Sequence, residues 1–185
     1  DNAQQQKILL QEHLSKVSSK ILSSSFRFNL TPDASKDPQK PLYSIGATAE
    51  EFFAMQVLCR NVKKLFKISM SSRHEILSQL KILLREDKCR FYIIRTDVCH
   101  CFESIPHDKL FEYLEGNNLL DVKSKSLLRG LIRNEFETKN LRPLVSISQT
   151  GIPRGCAISS LLSEFYLSKI DEVLRCTLPG IVFLA

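Results

Sequence analysis

Between two stretches of helical periodicity lies Phe91-Tyr92-Ile93-Ile94-Arg95-Thr96, a short aromatic and β-branched run that stops at Asp97. Side chains of this kind suit a pleated, packed surface, so the run predicts a mostly buried strand. A strand of that type set among amphipathic helices places the chain in the α/β (α+β) class.

The helices are read from apolar spacing. Leu10, Leu14, Val17 and Ile21 make one stripe. From Thr48 to about Lys67, Phe53, Val57, Leu58, Val62, Leu65 and Phe66 share a side, and Thr48 with Glu51 forms a capping box. Ser72 and Glu75 repeat that signal before a helix to Arg85, with Ile76, Leu80, Leu83 and Leu84 on one face. Pro106 opens a helix through Leu114, with Asp108 in its first turn. Leu119 to Asn134 reads as another, and Ile158 to Leu174 as a long one with Leu161, Leu162, Phe165, Leu167 and Ile170 inward. Alternation in Phe26 to Leu30 and in Pro41 to Ile45, around a polar loop, predicts a hairpin. Further strands are expected at Val145–Ser148 and Ile181–Ala185.

With 185 residues, 43% hydrophobic and 25% charged, the chain can bury a core of ordinary size. It contains no apolar run of the about 18 residues that a spanning helix needs, so no membrane partner is expected. It starts without methionine, and a fragment of a longer protein is expected. The six cysteines, at 59, 89, 99, 101, 156 and 176, form no paired CxxC knuckles and read as reduced thiols. Cys99, His100 and Cys101 are consecutive, and neighbouring side chains point apart, which disfavours one shared zinc ion.

The net charge is +6, but residues 51–90 hold nine Lys/Arg against four Asp/Glu. Arg60, Lys63, Lys64 and Lys67 are candidate contacts to a phosphate backbone; solvated helix faces are the plainer alternative.

Two places could carry chemistry. Asp97, at the carboxyl end of the predicted strand, stands where α/β sheets present catalytic groups, although an Asp there can also cap a turn. Gly151-Ile152-Pro153-Arg154-Gly155, between a short strand and a long helix, lets backbone approach a ligand or simply makes a tight turn. Its spacing fits neither a Walker loop nor a dinucleotide fingerprint.

Taken together and in order, these segments resemble the reverse transcriptases, and within them telomerase reverse transcriptase most closely. The resemblance rests on Asp97, on Phe102 five residues later, on Ser104-Ile105-Pro106-His107-Asp108-Lys109-Leu110, and on Gln149 through Leu162 around Gly151–Gly155. Phe26-Arg27-Phe28 with Lys40-Pro41-Leu42 is more loosely similar to the family's fingers hairpin. The resemblance implies right-hand polymerase fingers over 26–90, and a partial palm over 91–185 with helices packed on a small mixed sheet. It leaves 1–25 as a helix of uncertain affiliation.

It also implies RNA-directed DNA synthesis from an RNA template, here telomerase RNA, onto a DNA primer, with deoxynucleoside triphosphates as substrates. Two Mg²⁺ ions roughly 3.5–4 Å apart would clamp the attacking and leaving oxygens. Asp97 would hold both, and the Val98 carbonyl one of them. Phe102 would stack beneath the sugar and exclude a 2′-hydroxyl by bulk, selecting deoxynucleotides. Gly151, Ile152, Pro153, Arg154 and Gly155 would line the nucleotide pocket, while Arg27 and Lys40 would meet the triphosphate. A nuclear, telomeric location follows from the same resemblance.

The chain departs from the family in having Arg154 for glutamine and Cys156 for serine. A guanidinium could grip phosphate more strongly. The family's adjacent Asp-Asp pair is missing, truncation being the expected reason, so the 185 residues alone are expected to lack polymerase activity. Two alternatives remain: a retroelement, retron or intron-type reverse transcriptase, and a non-catalytic nucleic-acid-binding module of polymerase shape.

Overall fold

The computed structural model describes residues 2–33, 42–69, 72–86, 92–116, 119–133 and 150–177. In chain order these form α1 (Asn2–Leu22), β1 (Thr31–Asp33), β2 (Leu42–Ser44), α2 (Ala49–Leu65), α3 (Arg73–Glu86), α4 (Cys101–Ser104), α5 (His107–Glu115), α6 (Val122–Arg133) and α7 (Ala157–Thr177). The fold is α+β, with helices dominating a two-stranded antiparallel sheet in which Pro32 faces Tyr43.

The helix starts follow from local chemistry. Thr48 Oγ1 accepts from Glu51 N, and the Glu51 carboxylate returns to Thr48 N, closing the capping box. Ser72 and Glu75 make the same reciprocal pair, and Asp121 accepts from Ser124 N at the start of α6. Each satisfies amides that a first helical turn leaves without partners. Helix α2 ends with Ile68 N donating to Lys63 O and with Lys67 at φ 50°.

Helices α2 and α7 pack together through Leu58, Val62, Ile158, Leu162 and Phe165, and the Phe66 and Phe165 rings stand 4.5 Å apart. Helices α5 and α6 add Leu110, Leu114, Leu128 and Leu131 to the same core. Phe28 and Leu30 enter it from the segment before β1. That segment is tied to α2 by Glu51, which is buried yet accepts from Asn29 N at 2.7 Å.

Several expectations are corrected. Residues 92–98 form no strand; they are exposed, Tyr92 at 96% and Ile94 at 83%. A strand is stable only with a ladder partner, and no described residue pairs with this run. The expected strands at 145–148 and 181–185 lie outside the described residues. Phe26–Leu30 shows the anticipated alternation in burial at Phe28 and Leu30, but pairing begins only at Thr31. On α2 the inward residues are Ala54, Met55, Leu58 and Val62, while Phe53 and Val57 are exposed. Leu10 and Leu14 of α1, Leu84 of α3 and Ile170 of α7 are exposed too.

Replacing Glu51 by Ala removes the capping return and the acceptor of the Asn29 amide together. Loss of one buried hydrogen-bond partner costs about 1–3 kcal/mol, and loss of a cap about 1. The Glu51→Ala variant is therefore expected to be less stable by about 2–3 kcal/mol, read in urea as a lower midpoint with an unchanged denaturant slope.

Candidate functional site

Two turns separated by about fifty residues in sequence dock against each other. The chain from Asp97 bends at His100, whose φ of 51° and ψ of 42° begin the single-turn helix α4. The other turn, 150–155, lays its backbone on the end of α4. Ile152 N donates to Phe102 O at 2.7 Å, and Gly151 N to Ile105 O at 2.8 Å. Pro106 and Thr150 form an antiparallel bridge at the same place.

Side chains complete the joint. His107 is buried, and its Nε2 lies 2.6 Å from Gly151 O, so that nitrogen carries the proton, since a carbonyl can only accept. The Ser159 hydroxyl donates to Pro153 O at 2.5 Å. Arg154 Nη2 meets Glu103 Oε1 at 2.6 Å, and its guanidinium carbon sits 5.5 Å from the centre of the Phe102 ring. Arg154 Nε is buried with no described partner. The guanidinium thus braces one turn against the other.

The hairpin reaches this joint as well. Tyr43 N donates to Arg154 O at 2.7 Å, and the Cys156 thiol lies 3.9 Å from Tyr43 O. Gly155, at φ 95°, lies so close that an added Cβ would stand 2.7 Å from Tyr43 O. Only glycine meets both demands. Burial pushes the Cys156 thiol up to about 11, with Cys59 adding to the effect, so the thiol packs rather than reacts.

The structure therefore brings together Phe102, Gly151, Ile152, Pro153, Arg154 and Gly155, with Asp97 and Val98 leading into α4. Asp97 is exposed, its Oδ1 accepting from Val98 N at 3.1 Å. Among the described residues no group of three or more His, Cys, Asp or Glu side chains is placed to hold a metal ion. One carboxylate does not make a two-ion centre, so the described residues alone do not fit the pair of Mg²⁺ ions that the resemblance implies.

Other candidates stand apart from this joint. Arg27 Nη1 donates to Ser24 O and Phe26 O, and its stem faces Gly130 of α6. Lys40 lies outside the described residues. Arg60, Lys63, Lys64 and Lys67 are exposed along α2 and the turn after it. Sequence reasoning assigned no role to Glu103, His107 or Tyr43. Glu103 lies beside the quoted residues and His107 among them, but their partners are fifty-one and forty-four residues away, and Tyr43 acts through its backbone.

No family model matches the chain, and no solved structure does. Two fungal proteins are similar in sequence. An uncharacterized 91 kDa protein in the cob intron of Schizosaccharomyces pombe is 26% identical over 182 residues, covering 86% of this chain and 21% of that protein. A putative COX1/OXI3 intron 2 protein of Saccharomyces cerevisiae is 29% identical over 108 residues, covering 55% of this chain and 12% of that protein. The chain thus spans 21% and 12% of the length of these relatives. Both relatives are proteins of introns in the mitochondrial genes cob and COX1, which overturns the expected nuclear, telomeric location. The resemblance to reverse transcriptases is narrowed by the same finding: the relation is to intron-encoded proteins, not to telomerase in particular.

Proposed function

We propose that the chain is part of an intron-encoded reverse transcriptase, in which the docked turns at 97–107 and 150–159 form a wall of the nucleotide site. The observation that carries this reading is the joint itself. The two motifs through which the chain resembles the family are held together by paired backbone hydrogen bonds, the His107–Gly151 bond and the Glu103–Arg154 pair. The intron-encoded relatives support the same class of protein.

In this reading Phe102 is presented by α4 with its ring under the Arg154 guanidinium, so its position against a sugar is set by two elements rather than one. Arg154 serves the pocket by fixing Phe102 and the 150–155 backbone, since Glu103 already holds its Nη2. Asp97 contributes a hard oxygen donor at the mouth of the joint.

The test is templated primer extension by the longer polymerase in which this reading places the chain. Asp97→Ala is expected to abolish synthesis while leaving the thermal midpoint within a few degrees, because the side chain is exposed. Retained synthesis would overturn the assignment and favour a non-catalytic binding module.

Gly155→Ala is expected to cost stability and nucleotide affinity together, because the methyl group would meet Tyr43 O at 2.7 Å where φ is 95°. A rise in KM of roughly tenfold or more is expected, since small displacements of positioning groups are amplified in rate. Glu103→Gln should have a milder effect. The pair is part-exposed and worth at most about 1 kcal/mol in stability, so this variant should fold normally while losing sugar discrimination if the brace holds Phe102. Unchanged discrimination in steady-state kinetics with ribo- and deoxynucleotides would remove the brace from the mechanism.

A further inference from the structure

Away from the docked turns, a cleft of about 430 Å³ is lined by Arg27, Val122, Lys125, Ser126, Arg129, Gly130 and Arg133. Four of these seven are cations and none is a carboxylate. Lys125, Arg129 and Arg133 recur every four residues on α6, so they form one row with a rise of about 6 Å per step. Arg27 joins the row from the turn after α1, its stem in contact with Gly130.

Three of these cations are oriented by neighbours. Arg27 is held through Nη1 by the carbonyls of Ser24 and Phe26. Arg129 is gripped by both oxygens of Glu115, at 2.9 and 2.6 Å. Arg133 lies over the Phe111 ring, 5.4 Å from its centre. Glu115 offsets the charge of Arg129. Burial, and then the nearby Arg27, hold the adjacent Lys123 ammonium below the usual lysine range.

We propose that this cleft binds the phosphodiester backbone of a nucleic-acid strand, at a site separate from the docked turns and from the basic face of α2. Guanidinium and ammonium groups only donate, and phosphate oxygens only accept, so the two chemistries are complementary. A row of cations suits a linear polyanion, whereas a single free anion calls for donors converging on one point. The exposed Ser126 hydroxyl adds a further donor to the row.

The test uses the 185-residue chain and a labelled single-stranded RNA of mixed sequence, followed by fluorescence anisotropy over a salt series without divalent ion or nucleotide. Each phosphate contact on a single strand contributes about 0.7 to the slope of log affinity against log salt. Lys125→Gln with Arg133→Gln is expected to weaken binding roughly tenfold and to flatten the slope by about 1–1.5. Ser126→Glu, at an exposed position, sets a carboxylate in the row without removing any cation, and a comparable loss is expected. The charge-matched pair Lys7→Gln with Lys16→Gln, on α1, should stay within about twofold of the parent, the change expected of remote screened charges. Single-stranded DNA should lose affinity in parallel, because phosphates are read rather than bases.

Equal losses from the α1 control, or binding indifferent to Ser126→Glu, would overturn the site. A loss confined to RNA of one sequence would overturn its backbone character. Neither readout involves nucleotide addition, so the cleft and the polymerase reading stand or fall separately.

Discussion

The two amides of Gly151 and Ile152 and the carbonyls they find on Ile105 and Phe102 organise much of this molecule. A turn carries backbone donors that no helix or ladder satisfies, and burying them without partners costs about as much as the turn could gain by packing. By docking on α4 the turn satisfies them. The docking also sets the direction in which α7 departs, and α7 is the helix on which α2 packs. The joint that resembles a nucleotide pocket is therefore also the joint that places the core. Substitutions there affect folding and chemistry at once, and only those whose side chains face outward, such as Asp97, separate the two.

Much of the helical framework was legible because its signals are local. A capping box occupies four residues, and Thr48 with Glu51 and Ser72 with Glu75 behave as the pattern demands. The inward faces were less legible. Phe53 and Val57 share the stripe of α2, but they border a cavity of about 380 Å³ between α1, α2 and α6 instead of a packed neighbour. Helix periodicity says which residues share a side; only the partner's position says how much of that side is covered. The strand expected at 91–96 is absent from its described residues, 92–96, for a related reason. Its composition asks for a sheet, but a sheet is a property of several strands, and β1 and β2 pair only with each other among the described residues.

The candidate site shows the same division. The residue types of the two turns were visible in sequence, whereas their union was not, because His107 and Gly151 meet across forty-four positions and Arg154 and Glu103 across fifty-one. The basic residues were judged by density along the chain, which drew attention to 51–90. On α6 the cations are sparser but periodic, and Arg27 reaches them only through the turn at 23–26. Density counts charges in sequence; a phosphate meets them in space.

Holding Phe102 and holding Asp97 are different structural problems here. Phe102 is fixed through its carbonyl, through the ring contact with Arg154 and through α4 itself. Asp97 follows a run with no ladder partner among the described residues, and its carboxylate accepts from the next amide. Catalytic constellations require placement within about 0.5 Å, which a paired strand supplies and a lone extended segment does not. The polymerase reading therefore demands that residues 92–96 be paired when the protein works, by strands that bring further carboxylates with them. A nucleic-acid-binding module makes no such demand, since a row of cations on a packed helix needs only α6 and the turn beside it. The state of that one segment is what divides the two.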